Sequence, residues 1–173
     1  RLQFNPKAIR RHYFANSPVM SHLLTALSST FPIGEQFFVH SVRNVRDQVK
    51  DDNLQAQIAA FIGQEAMHSQ AHTAFNAAWR CDDYNLDRFQ AWLARKDDYV
   101  KNLHPKIQLA ITCAFEHFTA LLGGYILRHP EVLSTLDDDA VNSGCGMPLK
   151  KLSIVRLHLM FIKMSMVMTR FVV

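Results

Sequence analysis

Apolar residues recur at three- and four-residue spacing along most of the 173-residue chain, and strand-like alternation is scarce, so the pattern predicts an all-α protein. Polar breaks divide it into about five helices. The first runs from about Ser17 to Ser29 and should stop before Phe31-Pro32, because proline disfavours helix at the residue preceding it. Pro32 then opens a second helix, about Ile33 to Lys50, where a first turn tolerates it. A third covers about Asn53 to Trp79, with Asp51, Asp52 and Asn53 as capping candidates. After a break at Cys81 to Tyr84, Asp87 to Asn102 forms a polar fourth helix. Pro105 opens an apolar fifth that continues to about Arg128, where His129-Pro130 ends it. A last loop carries Asp137, Asp138 and Asp139.

Composition narrows the class without changing this outline. Apolar residues make up 49% and charged residues 20%, which is a globular balance, and the length suits one domain. No apolar run reaches the roughly 18 residues that would span a bilayer. No leader precedes the helices, so the expected location is cytoplasmic. Cys81, Cys113 and Cys145 lack C-x-x-C spacing, which argues against a disulfide framework or a zinc finger. The net charge of +4 is lopsided: the first 148 residues hold 14 basic and 15 acidic side chains, a net of −1, and the other basic residues all follow. A chain with its basicity confined to the tail does not predict nucleic-acid binding. The expected partner is a small-molecule substrate, with no transmembrane segment and with room for a homodimer.

The two acidic residue types are placed differently. Nearly all of the 11 aspartates fall in loops, at helix starts or on polar faces, whereas three of the four glutamates lie inside apolar helices. Glu65 follows Ile58, Phe61 and Ile62 on one stripe and precedes His68. Glu116 shares a face with Leu109, Thr112, Cys113, Thr119 and Ala120. Glu35 lies one turn before Phe38 and Val39 and two before Val42. Three helices thus each turn one carboxylate inward. An unpaired buried carboxylate costs several kcal/mol or takes up a proton, so three together call for a counter-charge. A metal cation supplies it, and the alternatives are pairing with Arg43 or Arg46 or helices that face solvent at these points.

Glu65-x-x-His68 places an oxygen and an imidazole nitrogen one turn apart, as in ferritin-like bundles where two helices give a Glu and two give Glu-x-x-His. The metal ligands expected are therefore Glu35, Glu65, His68 and Glu116. Mixed carboxylate and imidazole ligation without thiolate favours iron or manganese, with zinc admissible. His72, a turn beyond His68, is either a further ligand, a donor that orients one, or a polar core histidine. His117 points about 100° away from Glu116 and is expected to support the site or the fold rather than to ligate.

Three strings carry a resemblance: F-P-I-G-E-Q-F-F-V-H-S-V-R from Phe31 to Arg43, F-I-G-Q-E-A-M-H-S-Q-A-H from Phe61 to His72, and A-F-E-H-F-T-A from Ala114 to Ala120. Together they resemble the bacterial family of predicted metal-dependent hydrolases. The resemblance covers about Ser17 to Asp139. It implies a ferritin-like bundle with two divalent metal ions, and Glu35, Glu65, His68 and Glu116 fall on the matching motif positions.

The C-terminus departs from that family, whose members continue into W-H-x-x-E-E-x-E-H-K and F-D-V-Y. No acidic residue follows Asp139 in this chain. Back-translated with ordinary codons and read from the third base of each, the residues from Ser143 permit W-L-W-H-A-I-E-E-T-E-H. The same frame permits R-S-F-A-F-D-V-Y-Q through Ile162, its valine forced by Met160 and Phe161. The expected organisation is thus a helical metal-binding bundle over residues 1–142, incomplete at its C-terminus, and an out-of-frame basic, Met-rich tail over 143–173. The competing view of the tail is an amphipathic segment for a membrane surface or partner. Three functions follow from these readings: a dinuclear metal enzyme, hydrolytic or oxygen-activating, with an impaired site here; a non-enzymatic metal binder or store; and a metal-free interaction module.

Overall fold

The structure is a computed structural model that describes residues 12–14, 16–79, 86–129 and 131. Apart from an isolated bridge at Phe14, these residues are helix, turn and short irregular connections, as an all-α fold requires. Four helices appear among them: α1 (Pro18–Arg46), α2 (Asp52–Trp79), α3 (Leu86–Lys101) and α4 (Pro105–Arg128). The expected break at Cys81 to Tyr84, the Asp137 to Asp139 loop and the tail from 143 lie outside the described residues.

Local chemistry accounts for most helix ends. Ser17 caps α1 by accepting from Met20 N, with Pro18 in the first turn. Asp51 caps α2, its Oδ1 accepting from Leu54 N at 2.8 Å. Gln55 Nε2 donates to the carbonyls of Arg46 and Val49, which closes the end of α1. Gln108 does the same for the α3 to α4 connection through Lys101 O and Leu103 O.

Pro32 corrects the expectation of two helices in the first segment, because α1 continues through it. An interior proline removes one backbone donor and normally costs about 3 kcal/mol. The carbonyl left without its partner is that of Ser28, four residues back, and Asn76 Nδ2 of α2 donates to it at 3.0 Å. Ser69 Oγ donates to Pro32 O at 3.4 Å. A donor from the neighbouring helix thus replaces the missing one, and tertiary structure overrides the local stop signal.

α1 is the hub, packing against α2, α3 and α4. Its C-terminal half builds the apolar core: Phe37, Phe38, Val42 and Val45 meet Leu54, Ile58 and Phe61 of α2 and Leu109 of α4. Its N-terminal half buries Ser21, Thr25, Ser28 and Ser29 instead. Glu35 stands between the two halves. Among the described residues no helix is long and apolar enough to cross a membrane.

Candidate metal centre

Helical spacing on α2 aligns Glu65, His68, His72 and Asn76 along the side that meets α1. Glu35 of α1 faces this stripe, and its Oε1 lies 4.0 Å from His72 Nε2. Glu35, Glu65 and His68 each offer a ligand atom, and these atoms lie within 4.8 Å of one another. Two ligands about 2.1 Å from one cation stand roughly 3 to 4.2 Å apart, so the cluster is slightly wider than a single filled shell.

All three interior glutamates are buried: Glu65 retains 2%, Glu116 4% and Glu35 7% of its exposure. Burial and the neighbouring Glu65 and Glu116 carboxylates push Glu35 up to about 9. Burial, with Glu65 adding to it, pushes Glu116 up to about 8. At neutral pH without a cation, Glu35 and Glu116 therefore hold protons. His72 shifts the other way, to about 4, because burial and nearby His68 disfavour its charged form.

Glu35 Oε2, Glu65 Oε1 and His68 Nε2 are buried without a hydrogen-bond partner. Glu65 Oε1 does have His68 Nδ1 3.5 Å away, beyond the usual length of a hydrogen bond. Buried carboxylate and imidazole groups normally find partners, and leaving them unpaired costs about 1–3 kcal/mol each. The arginine alternative finds no support, since Arg46 Nε donates to Gln55 and Arg43 is exposed. Two acceptor oxygens and an imidazole nitrogen meeting in one buried place fit a divalent cation.

Glu116 is buried and lies near enough for its charge to act on Glu35, but it falls outside the three-residue cluster. His117 is exposed on α4 and is not brought to the cluster. Ser28 and Asn76, hydrogen-bonded to each other and through Ser28 to His72, are polar neighbours that helical periodicity alone did not single out. Asn76 continues the stripe of Glu65, His68 and His72, and that run of polar residues at helical spacing was the available signal. An open cleft of about 730 Å³ between α1 and α2 includes Glu35 and Glu65 in its lining, together with His40, Arg43, Ser69 and Thr73. Both carboxylates reach its wall with almost no exposed surface.

Fold and site together define an all-helical protein with a buried carboxylate and imidazole cluster able to hold a metal ion. A family model described as predicted metal-dependent hydrolase matches residues 1–143, and the chain belongs to that family. No curated protein and no solved structure matches it.

Proposed function

We propose that this chain is a metal-dependent hydrolase whose centre is built on Glu35, Glu65, His68 and Glu116 in a ferritin-like arrangement. The observation that carries the reading is that Glu35, Glu65 and His68 bring ligand atoms within 4.8 Å of one another at the α1 to α2 interface, while each also keeps a buried polar atom without a hydrogen-bond partner. A bound divalent cation would supply Lewis acidity toward a water or a substrate oxygen. The protein's part is to keep the donors fixed on rigid helices, exclude water from their buried side, and admit a small substrate through the cleft. Glu116, reached from α4, is the carboxylate placed to serve a second ion, and iron, manganese or zinc suits the donor set.

The intact family site is dinuclear in this reading, and this chain carries part of it. The missing Glu-x-x-His is encoded in the third-base frame after about Asn142. Support comes from the absence of acidic residues after Asp139 and from the end of the family match at residue 143. The chain as written then binds metal weakly or at one site and has little activity. Metal analysis of the purified protein with and without the restored frame tests this, together with assays on ester and phosphoester substrates. Two ions per restored chain, fewer in the present one, and hydrolysis only in the restored form are expected. Equal occupancy in both would reject the repaired site, and stop codons in the third-base frame of the source DNA would reject the frameshift. Oxygen uptake on adding Fe(II), without hydrolysis, would favour oxidase chemistry instead.

A further inference from the structure

The residues around Pro32 do more than mend a helix. Asn76 Nδ2 donates to Ser28 O, which fixes the orientation of the Asn76 amide, since the reversed amide would set its oxygen against that carbonyl. Asn76 Oδ1 must therefore be the atom 2.9 Å from Ser28 Oγ, and as an acceptor it takes the single hydroxyl proton of Ser28. Ser28 Oγ also lies 3.0 Å from His72 Nδ1. With its proton committed to Asn76, the hydroxyl can only accept there, so Nδ1 of neutral His72 carries the hydrogen. The lone pair is then on Nε2, the atom 4.0 Å from Glu35 Oε1. Phe31 packs edge-on to the imidazole with ring centroids 4.5 Å apart and restrains its rotation.

Glu35, protonated at neutral pH, could donate to that lone pair only at hydrogen-bonding distance. Their 4.0 Å separation is too long for a hydrogen bond and falls within the spread of two ligands on one cation. We propose that His72 is a metal ligand through Nε2, sharing an ion with Glu35, and that Ser28 and Asn76 are positioning residues that fix its tautomer and ring. The proposal rests on the metal-centre reading above and adds His72, Ser28 and Asn76 to it. It also gives the unusual proline a purpose: by stranding the Ser28 carbonyl, Pro32 creates the acceptor that orients Asn76. Hydrogen bonds from a ligand's second nitrogen tune metal affinity by 10–100-fold in known sites, which sets the scale expected for Ser28.

The test uses the full chain and Zn2+ as the probe. Nitrogen-15 NMR of the wild-type protein should show His72 as the Nδ1–H tautomer before metal is added, with its Nε2 resonance moving on titration with Zn2+. By calorimetry, Ser28→Ala should weaken Zn2+ binding about 10–100-fold and His72→Gln by at least as much. Should Ser28→Ala fail to fold, the wild-type NMR experiment still decides, because it needs no variant. An Nε2–H tautomer, or an Nε2 signal indifferent to Zn2+ while Glu65→Gln abolishes binding, would overturn the His72 proposal and leave the centre intact. Zn2+ binding unaffected by Glu35→Gln and Glu65→Gln would instead overturn the metal centre itself.

Discussion

The two halves of α1 meet the same neighbour, α2, with opposite chemistry. Beyond Glu35 the helix buries Phe37, Phe38, Val42 and Val45 against Leu54, Ile58 and Phe61, where surface removed from water provides the stabilisation. Before Glu35 it buries Ser21, Thr25, Ser28 and Ser29, and the interface is held by directional bonds that link Ser28 with Asn76 and His72. The apolar half tolerates small shifts because dispersion is not directional. The polar half specifies atomic positions, and each unmet group there is costly. Glu35 and Glu65 sit at the junction between them. The lesson is that stability and chemistry are divided along one helix pair.

The largest effect should come from the apolar half. Phe61→Ala removes a side chain with 2% exposure and should cost about 3–5 kcal/mol of unfolding free energy by denaturant titration. The protein that remains folded should keep its Zn2+ affinity. A strong loss of affinity at unchanged fold would show that the two halves are not separable.

Glu35→Gln should do the reverse. Holding this carboxyl near 9 means that folding opposes its ionisation, so the amide should stabilise the metal-free protein by about 2–4 kcal/mol at pH 8 while weakening metal binding. Destabilisation would indicate that the carboxylate already has a partner.

The pH dependence sharpens the same contrast. Glu35 and Glu116 have folded values of about 9 and 8, above their ordinary 4.5, so the folded state keeps protons that the unfolded state has released. Metal-free stability therefore falls as pH rises from the ordinary carboxylate range toward 8 to 9. His72, at about 4 instead of 6.5, works oppositely, adding stability with rising pH between those two values. Above 6.5 the fall is unopposed, with a slope of up to about 1.4 kcal/mol per pH unit for each carboxyl. Thermal melts across pH 6.5 to 8 measure it, and saturating Zn2+ should flatten or invert the trend by favouring the ionised carboxylates.

The smallest effect belongs to the cap at the apolar end. Asp51→Ala removes the acceptor for Leu54 N and should cost about 1 kcal/mol, with no change in metal binding.

Much of this arrangement was legible in the sequence. Helical periodicity placed α2 and α4 nearly to the residue, since their ends coincide with Asp51 and Pro105. The inward glutamates were visible because aspartates occupy the loops and polar faces while Glu35, Glu65 and Glu116 interrupt apolar stripes. Pro32 misled for a physical reason: a local stop signal was answered by Asn76, 44 residues away, and no local pattern encodes that partnership. His72 was ambiguous because its role depends on which nitrogen carries the proton. The bonds that bear on it, Asn76 to Ser28 and Ser28 with His72, join two helices that no local pattern relates.

Metal-dependent function as proposed requires a cation held among Glu35, Glu65 and His68. Elemental analysis of the purified chain against a Glu65→Gln, His68→Asn double variant tests it most directly. Bound iron, manganese or zinc in the wild type and its loss from a variant that still folds is the predicted result. Equal metal content in the two, or a metal-free wild type whose stability the double substitution leaves unchanged, would contradict it.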